Sequence, residues 1–179
     1  MQYGQNGISE SNINLSIVQK VQYLLEQAGC TVILTRSDEN GIYSNDSSIR
    51  SKKVSDMKNR VEIGNSSEAD IFVSIHLNKI NESRYWGWQT FFRKNDENSK
   101  NLSLSIQNGL NEAIQKQNKR EPLKIENKYI IDNVKIPTTI VECGFLSNPE
   151  EANLLQTDKY QNKIAWGIYL GIINYFLSV

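Results

Sequence analysis

The feature that most constrains the fold is the stretch 69–78, Ala-Asp-Ile-Phe-Val-Ser-Ile-His-Leu-Asn. Its first half is a nearly continuous apolar run, rich in β-branched and aromatic residues and about one strand long. A run without polar alternation suits a strand covered on both faces, as in the parallel sheet of an α/β domain. The run ends in a polar tip that holds the only histidine of the chain, His76. In open α/β sheets, ligand chemistry collects just beyond the carboxyl ends of strands. His76 therefore stands where a catalytic or metal-binding imidazole would sit. A lone histidine is also commonly a satisfied core side chain, and both readings stand at this point.

A second run of the same design, Thr-Thr-Ile-Val-Glu-Cys over 138–143, ends near Glu142. Helical periods alternate with these strands. Ser11 is a reasonable N-cap for a helix carrying Ile13, Ile17, Val21, Leu24 and Ala28 on one face, with Gly29 as its stop. Residues 1–10 read as a glycine-bearing loop containing Gly4 and Gly7. Residues 31–35 read as a strand, and 36–55 as a long polar loop of the kind that is more often functional than idle. A short helix follows over 56–65. After the central strand come a strand over 87–93, an amphipathic helix over 98–117 and a brief edge strand over 129–131. Pro149 opens a short helix. The last helix starts near Asp158, with a stripe of Ala165, Ile168, Ile172 and Phe176, while Gly167 and Gly171 permit close backbone approach. This βα alternation predicts a single α/β domain over 1–179: a mainly parallel or mixed sheet with helices on both faces.

Composition narrows the function classes. Twenty basic and twenty acidic side chains cancel, which leaves no electrostatic footprint for nucleic acid or an anionic membrane. Cys30 and Cys143 lie in apolar sequence without a CxxC partner and read as buried free thiols. No signal-peptide pattern opens the chain. The apolar stretch 164–179 is too short to span a membrane comfortably and reads as a buried terminal helix.

Loops at one end of such a sheet would gather Glu10, His76 and Glu142. An imidazole, a carboxylate able to bind metal and a second carboxylate able to act as base suit a zinc hydrolase. Each also has a structural reading. Glu10 serves a helix N-terminus, and Glu142 pairs with an arginine such as Arg60. Trp86 and Trp88 either line a sugar groove or pack an edge strand.

Five separated motifs run nearly end to end in one order. They are Ser9-Glu10-Ser11-Asn12-Ile13-Asn14-Leu15; Gly29-Cys30-Thr31-Val32-Ile33-Leu34-Thr35-Arg36; Arg60-Val61-Glu62-Ile63-Gly64-Asn65; the stretch 69–78; and Val141-Glu142-Cys143-Gly144-Phe145-Leu146-Ser147-Asn148. Together they resemble the zinc-dependent N-acetylmuramoyl-L-alanine amidases. Residues 49–60 and 87–92 resemble more particularly the spore-cortex, germination-specific branch.

The resemblance implies Zn2+ as cofactor, with Glu10 and His76 as metal ligands. It implies Glu142 as the catalytic glutamate that takes a proton from the attacking water and passes it to the leaving amine. The implied substrate is peptidoglycan, cut between N-acetylmuramic acid and L-alanine outside the cytoplasm, in the cell wall or spore cortex. One departure carries consequences. The family pattern opens with a strand ending in an Asp-Pro-Gly-His-Gly-Gly type motif, and this sequence begins after that point. Three expectations follow: a first strand missing from the sheet, an open sheet edge able to pair with a second copy as a homodimer, and weak zinc binding. The alternative function is a catalytically impaired amidase-fold protein that binds peptidoglycan or a partner.

Overall fold

A computed structural model describes residues 9–43 and 48–178; of the glycine-bearing loop expected over 1–10, residues 1–8 lie outside them. Six helices and four strands are found among the described residues, in the order α1 (Glu10–Gln27), α2 (Ile49–Ser66), β1 (Phe72–Asn78), β2 (Gln89–Arg93), α3 (Glu97–Ile114), β3 (Leu123–Ile125), α4 (Tyr129–Asn133), β4 (Thr138–Phe145), α5 (Pro149–Leu155) and α6 (Asp158–Ser178). The strands form one sheet in the order β1-β4-β2-β3. β1 runs parallel to β4 and β2 parallel to β3, while β2 and β4 are antiparallel. The α/β sheet expected from the two buried runs is present, in mixed form.

Helices cover both faces. On one, α1, α3 and α6 enclose the main core, in which Ile17, Leu102, Ile106, Leu110, Ile164 and Ile168 have no exposed surface. On the other, Val61 of α2 packs with Ile130 and Val134 at α4, against Phe72 and Ile136. The close approach expected of Gly167 and Gly171 occurs between α3 and α6. A Cβ on Gly171 would lie 2.3 Å from Ile106 Cα and 2.7 Å from Ser105 O, and one on Gly167 would lie 2.8 Å from Leu110 Cα. These obstacles are backbone atoms, which no rotamer change removes.

Four expectations are corrected. Residues 31–35 do not form a strand: they carry no strand assignment and pair with no strand among the described residues. A strand needs a hydrogen-bonding neighbour, and the nearest strand edge, that of β1, is separated from them by a cleft. Residues 129–131 are helical, and the edge strand lies earlier, at β3. Helix α2 begins at Ile49, seven residues before the expected start. Ser48 caps it by accepting from Ser51 N–H at 3.1 Å, and its exposed first turns carry no apolar period for pattern reading to catch. Lastly, α1 starts at Glu10, with Ser9 in the N-cap position.

The α3–α6 contact yields a stability test. Gly171→Ala should lower unfolding free energy by about 1–3 kcal/mol, the usual cost of overpacking. Chemical denaturation would measure it, and an unchanged midpoint would show that the two helices separate without penalty.

Candidate functional site

The parallel pairing of β1 with β4 sets His76 directly opposite Glu142, and β2 brings Gln89 opposite Glu142 on the other side. Register neighbours share a face of the sheet, so imidazole and carboxylate stand side by side near the carboxyl ends of β1 and β4. Glu10 arrives from elsewhere, on the first turn of α1. Its Oε1 lies 3.5 Å from His76 Nδ1 and accepts from Leu77 N–H at 3.4 Å. Asn14, one turn along α1, donates to the same oxygen at 3.3 Å. The three residues expected to form the site are thus brought together.

The structural readings of these residues fare differently. Arg60 does not pair with Glu142. It donates through Nε to Asp56 at 2.6 Å and through Nη1 to Thr35 Oγ1 at 2.7 Å. Glu142 Oε2 is instead buried, with no hydrogen-bond partner among the described residues. His76 is not a core imidazole, because 43% of its side chain is exposed. Trp88 is fully buried and donates to Asn111 at 2.9 Å, with Trp86 edge-on to it at 5.7 Å. The tryptophans pack, as the second of their readings had it. Cys143 is fully buried, and burial drives its thiol well above the ordinary range.

The two carboxylates are driven apart electrostatically. Burial alone would raise Glu10. The hydrogen bond and charge of His76, the Leu77 N–H and Asn14 outweigh it and hold Glu10 below the usual carboxylate range. Burial raises Glu142, the charge of Glu10 adds to the rise, and His76 and Lys128 oppose it only in part. Titratable groups pushed apart in this way suit different tasks, the lowered one as an ionised carboxylate and the raised one as a group that takes and returns a proton.

The groups also fit part of a metal centre. Donors on a tetrahedral zinc, at 2.0–2.1 Å from the ion, stand ~3.4 Å from one another; the 3.5 Å between Glu10 Oε1 and His76 Nδ1 matches two such corners. The other imidazole nitrogen, Nε2, is within 3.0 Å of Ser74 Oγ, the second contact that normally orients a ligating histidine. No cluster of three or more potential ligands occurs among the described residues.

Sequence reading missed three contributors. Asn14 would have been found one turn beyond Glu10 had Glu10 been placed in the helix. Ser74, two residues before His76, shares its face of β1 by strand alternation. Lys128 carries no local signal, because the fold alone brings it to Glu142.

Below the site lies a carboxylate that reading also passed over. Glu151, in the first turn of α5, is fully buried. It accepts from Gly87 N–H at 3.0 and 3.1 Å and from Phe145 N–H at 2.8 Å, tying the end of β4 to the segment that enters β2. Gly144 makes room for it: a Cβ there would lie 2.9 Å from Glu151 Cδ and Oε1.

An imidazole and a raised carboxylate at the carboxyl ends of adjacent strands, with an ionised carboxylate brought to them by a helix N-terminus, are the equipment of a hydrolase. Comparison with known proteins identifies which hydrolase family. The family model described as N-acetylmuramoyl-L-alanine amidase matches residues 2–174. The germination-specific N-acetylmuramoyl-L-alanine amidase of Bacillus subtilis (strain 168) is 34% identical over 168 residues, covering 93% of this chain and 70% of that protein. Among solved structures, the CwlD amidase of Clostridioides difficile, in complex with the GerS lipoprotein, superposes with a TM-score of 0.96 at 41% identity, over 99% of this chain and 92% of that one. An N-acetylmuramoyl-L-alanine amidase from Clostridium difficile 630 gives 0.85 at 27% identity, over 99% and 90%. This chain belongs to the N-acetylmuramoyl-L-alanine amidase family, and the spore-cortex branch fits it.

Burial lifts Glu151 to about 7, against the pull of the Phe145 and Gly87 amides and the charges of Lys116 and Arg120. Because the folded pKa exceeds the unfolded one, the folded state holds the extra proton. Stability is then full below the ordinary carboxylate range and falls as pH rises towards about 7, by about 3 kcal/mol at most. Chemical denaturation across this range should show the loss, and Glu151→Gln should flatten it. A wild-type slope identical to the variant's would refute the assignment.

Proposed function

We propose that this chain cuts the amide bond between N-acetylmuramic acid and L-alanine in spore-cortex peptidoglycan, outside the cytoplasm. Glu10 and His76, together with a donor beyond these two, would hold zinc, and Glu142 is the general base. The observation that carries this reading is the grouping of Glu10, from the first turn of α1, with His76 and an unpartnered Glu142 oxygen at adjacent strand ends. Bound there, zinc would polarise the scissile carbonyl and acidify water, whose pKa falls to about 7 in well-formed sites.

The chain's own residues do the rest. Glu10, held ionised, attracts the cation. His76 is oriented through Ser74. Glu142 takes the proton of the attacking water through the oxygen that has no other partner, then releases it to the departing amine. Its raised pKa makes the second transfer easier than it would be from an ordinary carboxylate. The complex of the C. difficile relative with a lipoprotein supports a protein partner for this chain too. No helix of the described residues is long and apolar enough to cross a membrane.

Release of stem peptides from purified cortex peptidoglycan in excess zinc tests the reading. Glu142→Gln should lower turnover by about 10²–10⁴-fold, the usual worth of general acid–base catalysis. On the acid side, activity should fall as pH drops through the raised pKa of Glu142, because the base must be ionised. Full turnover by Glu142→Gln would remove that residue from the chemistry.

A second reading, an amidase fold that binds glycan without turning it over, rests on there being no third ligand beside Glu10 and His76 among the described residues. The metal test separates the two. After dialysis, zinc measured by elemental analysis should stand below one ion per chain, and His76→Ala should abolish what remains. Glycan binding with no turnover at saturating zinc would establish the second reading. Stoichiometric zinc surviving dialysis would show that further donors complete the site.

A further inference from the structure

The face of the sheet that carries Glu142 continues past it. Strand alternation puts Ile140, two residues earlier on β4, on that same face, and the register sets Phe91 of β2 opposite Ile140. Both are only half-buried, whereas Val141 and Cys143, which point the other way into the main core, have no exposed surface. Ile125 at the end of β3, Lys128 just before α4 and Tyr129 at its start stand around this floor. A recess with an apolar floor thus opens from Glu142 along the sheet face. It lies on the β2 side of β4, away from the edge of β1.

Lys128 brings a cation to this recess. It is exposed, and its charge reaches Glu142, yet its ammonium makes no hydrogen bond or ion pair with the described residues. Glu126, two residues earlier, is paired with Lys94 at 3.3 Å instead. Gln89, which flanks Glu142 in register, spends its amide on Glu121 O. Arg60 and Arg93, by contrast, each meet an aspartate at 2.6 Å. A free ammonium over half-buried alkyl and aromatic side chains suits a ligand that is anionic at one point and apolar beside it.

We propose that this recess is the stem-peptide subsite, in which Lys128 binds a carboxylate of the peptide while Phe91 and Ile140 carry its alkyl groups. The inference rests on the amidase reading and adds which half of the substrate lies on which side of Glu142. Substrate chemistry decides the side. The amide to be cut consumes the lactyl carboxyl of N-acetylmuramic acid, and the hydroxyls and acetamide that remain on the sugar are neutral. A peptide attached through its amino end keeps its carboxylates, so the anionic charge lies on the peptide side. An apolar floor also offers no partners to sugar hydroxyls, which are costly to bury unpaired. Lys128 is a specificity residue in this arrangement and takes no part in moving the proton.

Two soluble probes test the assignment: N-acetylmuramoyl-L-alanyl-D-glutamate, and the same compound with both glutamate carboxyls converted to amides. Binding is followed by NMR titration with a metal chelator present, so neither zinc nor turnover is needed. The wild-type chain should bind the acidic probe about tenfold more tightly than the diamide, the worth of one hydrogen bond between charged groups. The preference should shrink as salt is raised. Lys128→Met should remove it while leaving affinity for the diamide as it was, and Lys128→Arg should keep it. Equal affinity of the wild type for the two probes would overturn the proposal, as would absence of saturable binding of the acidic one. So would a Lys128→Met variant that retains the preference or loses both probes equally. Failure of the amidase reading is seen separately, as no stem-peptide release at saturating zinc; failure of the subsite alone is seen as turnover of peptidoglycan without any preference between the probes.

Discussion

The interaction on which the site depends is the parallel pairing of β1 with β4. Its register alone puts His76 beside Glu142; a slip of one residue would turn one of them to the opposite face. Around that pair the structure builds in two directions. Helix α1 brings the Glu10 carboxylate over the strand end, and Glu151 anchors the carboxyl end of β4 through Phe145 N–H, with Gly87 N–H as its other donor. The candidate site is therefore held by main-chain bonds to carboxylates more than by contacts among its own side chains.

The electrostatics follow from burial and neighbours acting in opposite senses. Glu10 and Glu142 both lose water, yet only Glu10 gains enough donors to be held below the usual carboxylate range. Glu142 keeps an oxygen without a partner among the described residues, which is costly for a buried carboxylate and fits the proposed meeting with a reacting group. Its pKa is thus set by what it lacks. The same desolvation acts on Glu151, which spends its lone pairs on the backbone and has no route to substrate.

Much of this was legible in the sequence, for a physical reason: long apolar runs ending in polar tips determine both strand position and strand end. β1, β4, His76 and Glu142 all followed from that pattern. The terminal helix and its close glycines followed from helical period. What was not legible depended on partners distant in the chain. Residues 31–35 have strand-like composition but no hydrogen-bonding neighbour among the described residues, and composition alone does not make a ladder. The start of α2 was hidden because its first turns bury almost nothing, leaving a serine cap as the sole sign. Lys128 reaches Glu142 only after the chain has folded.

Glu10 holds two posts at once. The oxygen that faces His76 also accepts from Leu77 N–H, the last open-side donor of β1. A cation that drew this oxygen towards itself would take it from the strand edge. The charge beside His76 and the backbone bond from Leu77 share one atom, so neither can shift without the other feeling it. One carboxylate joins the polar end of the sheet to its margin.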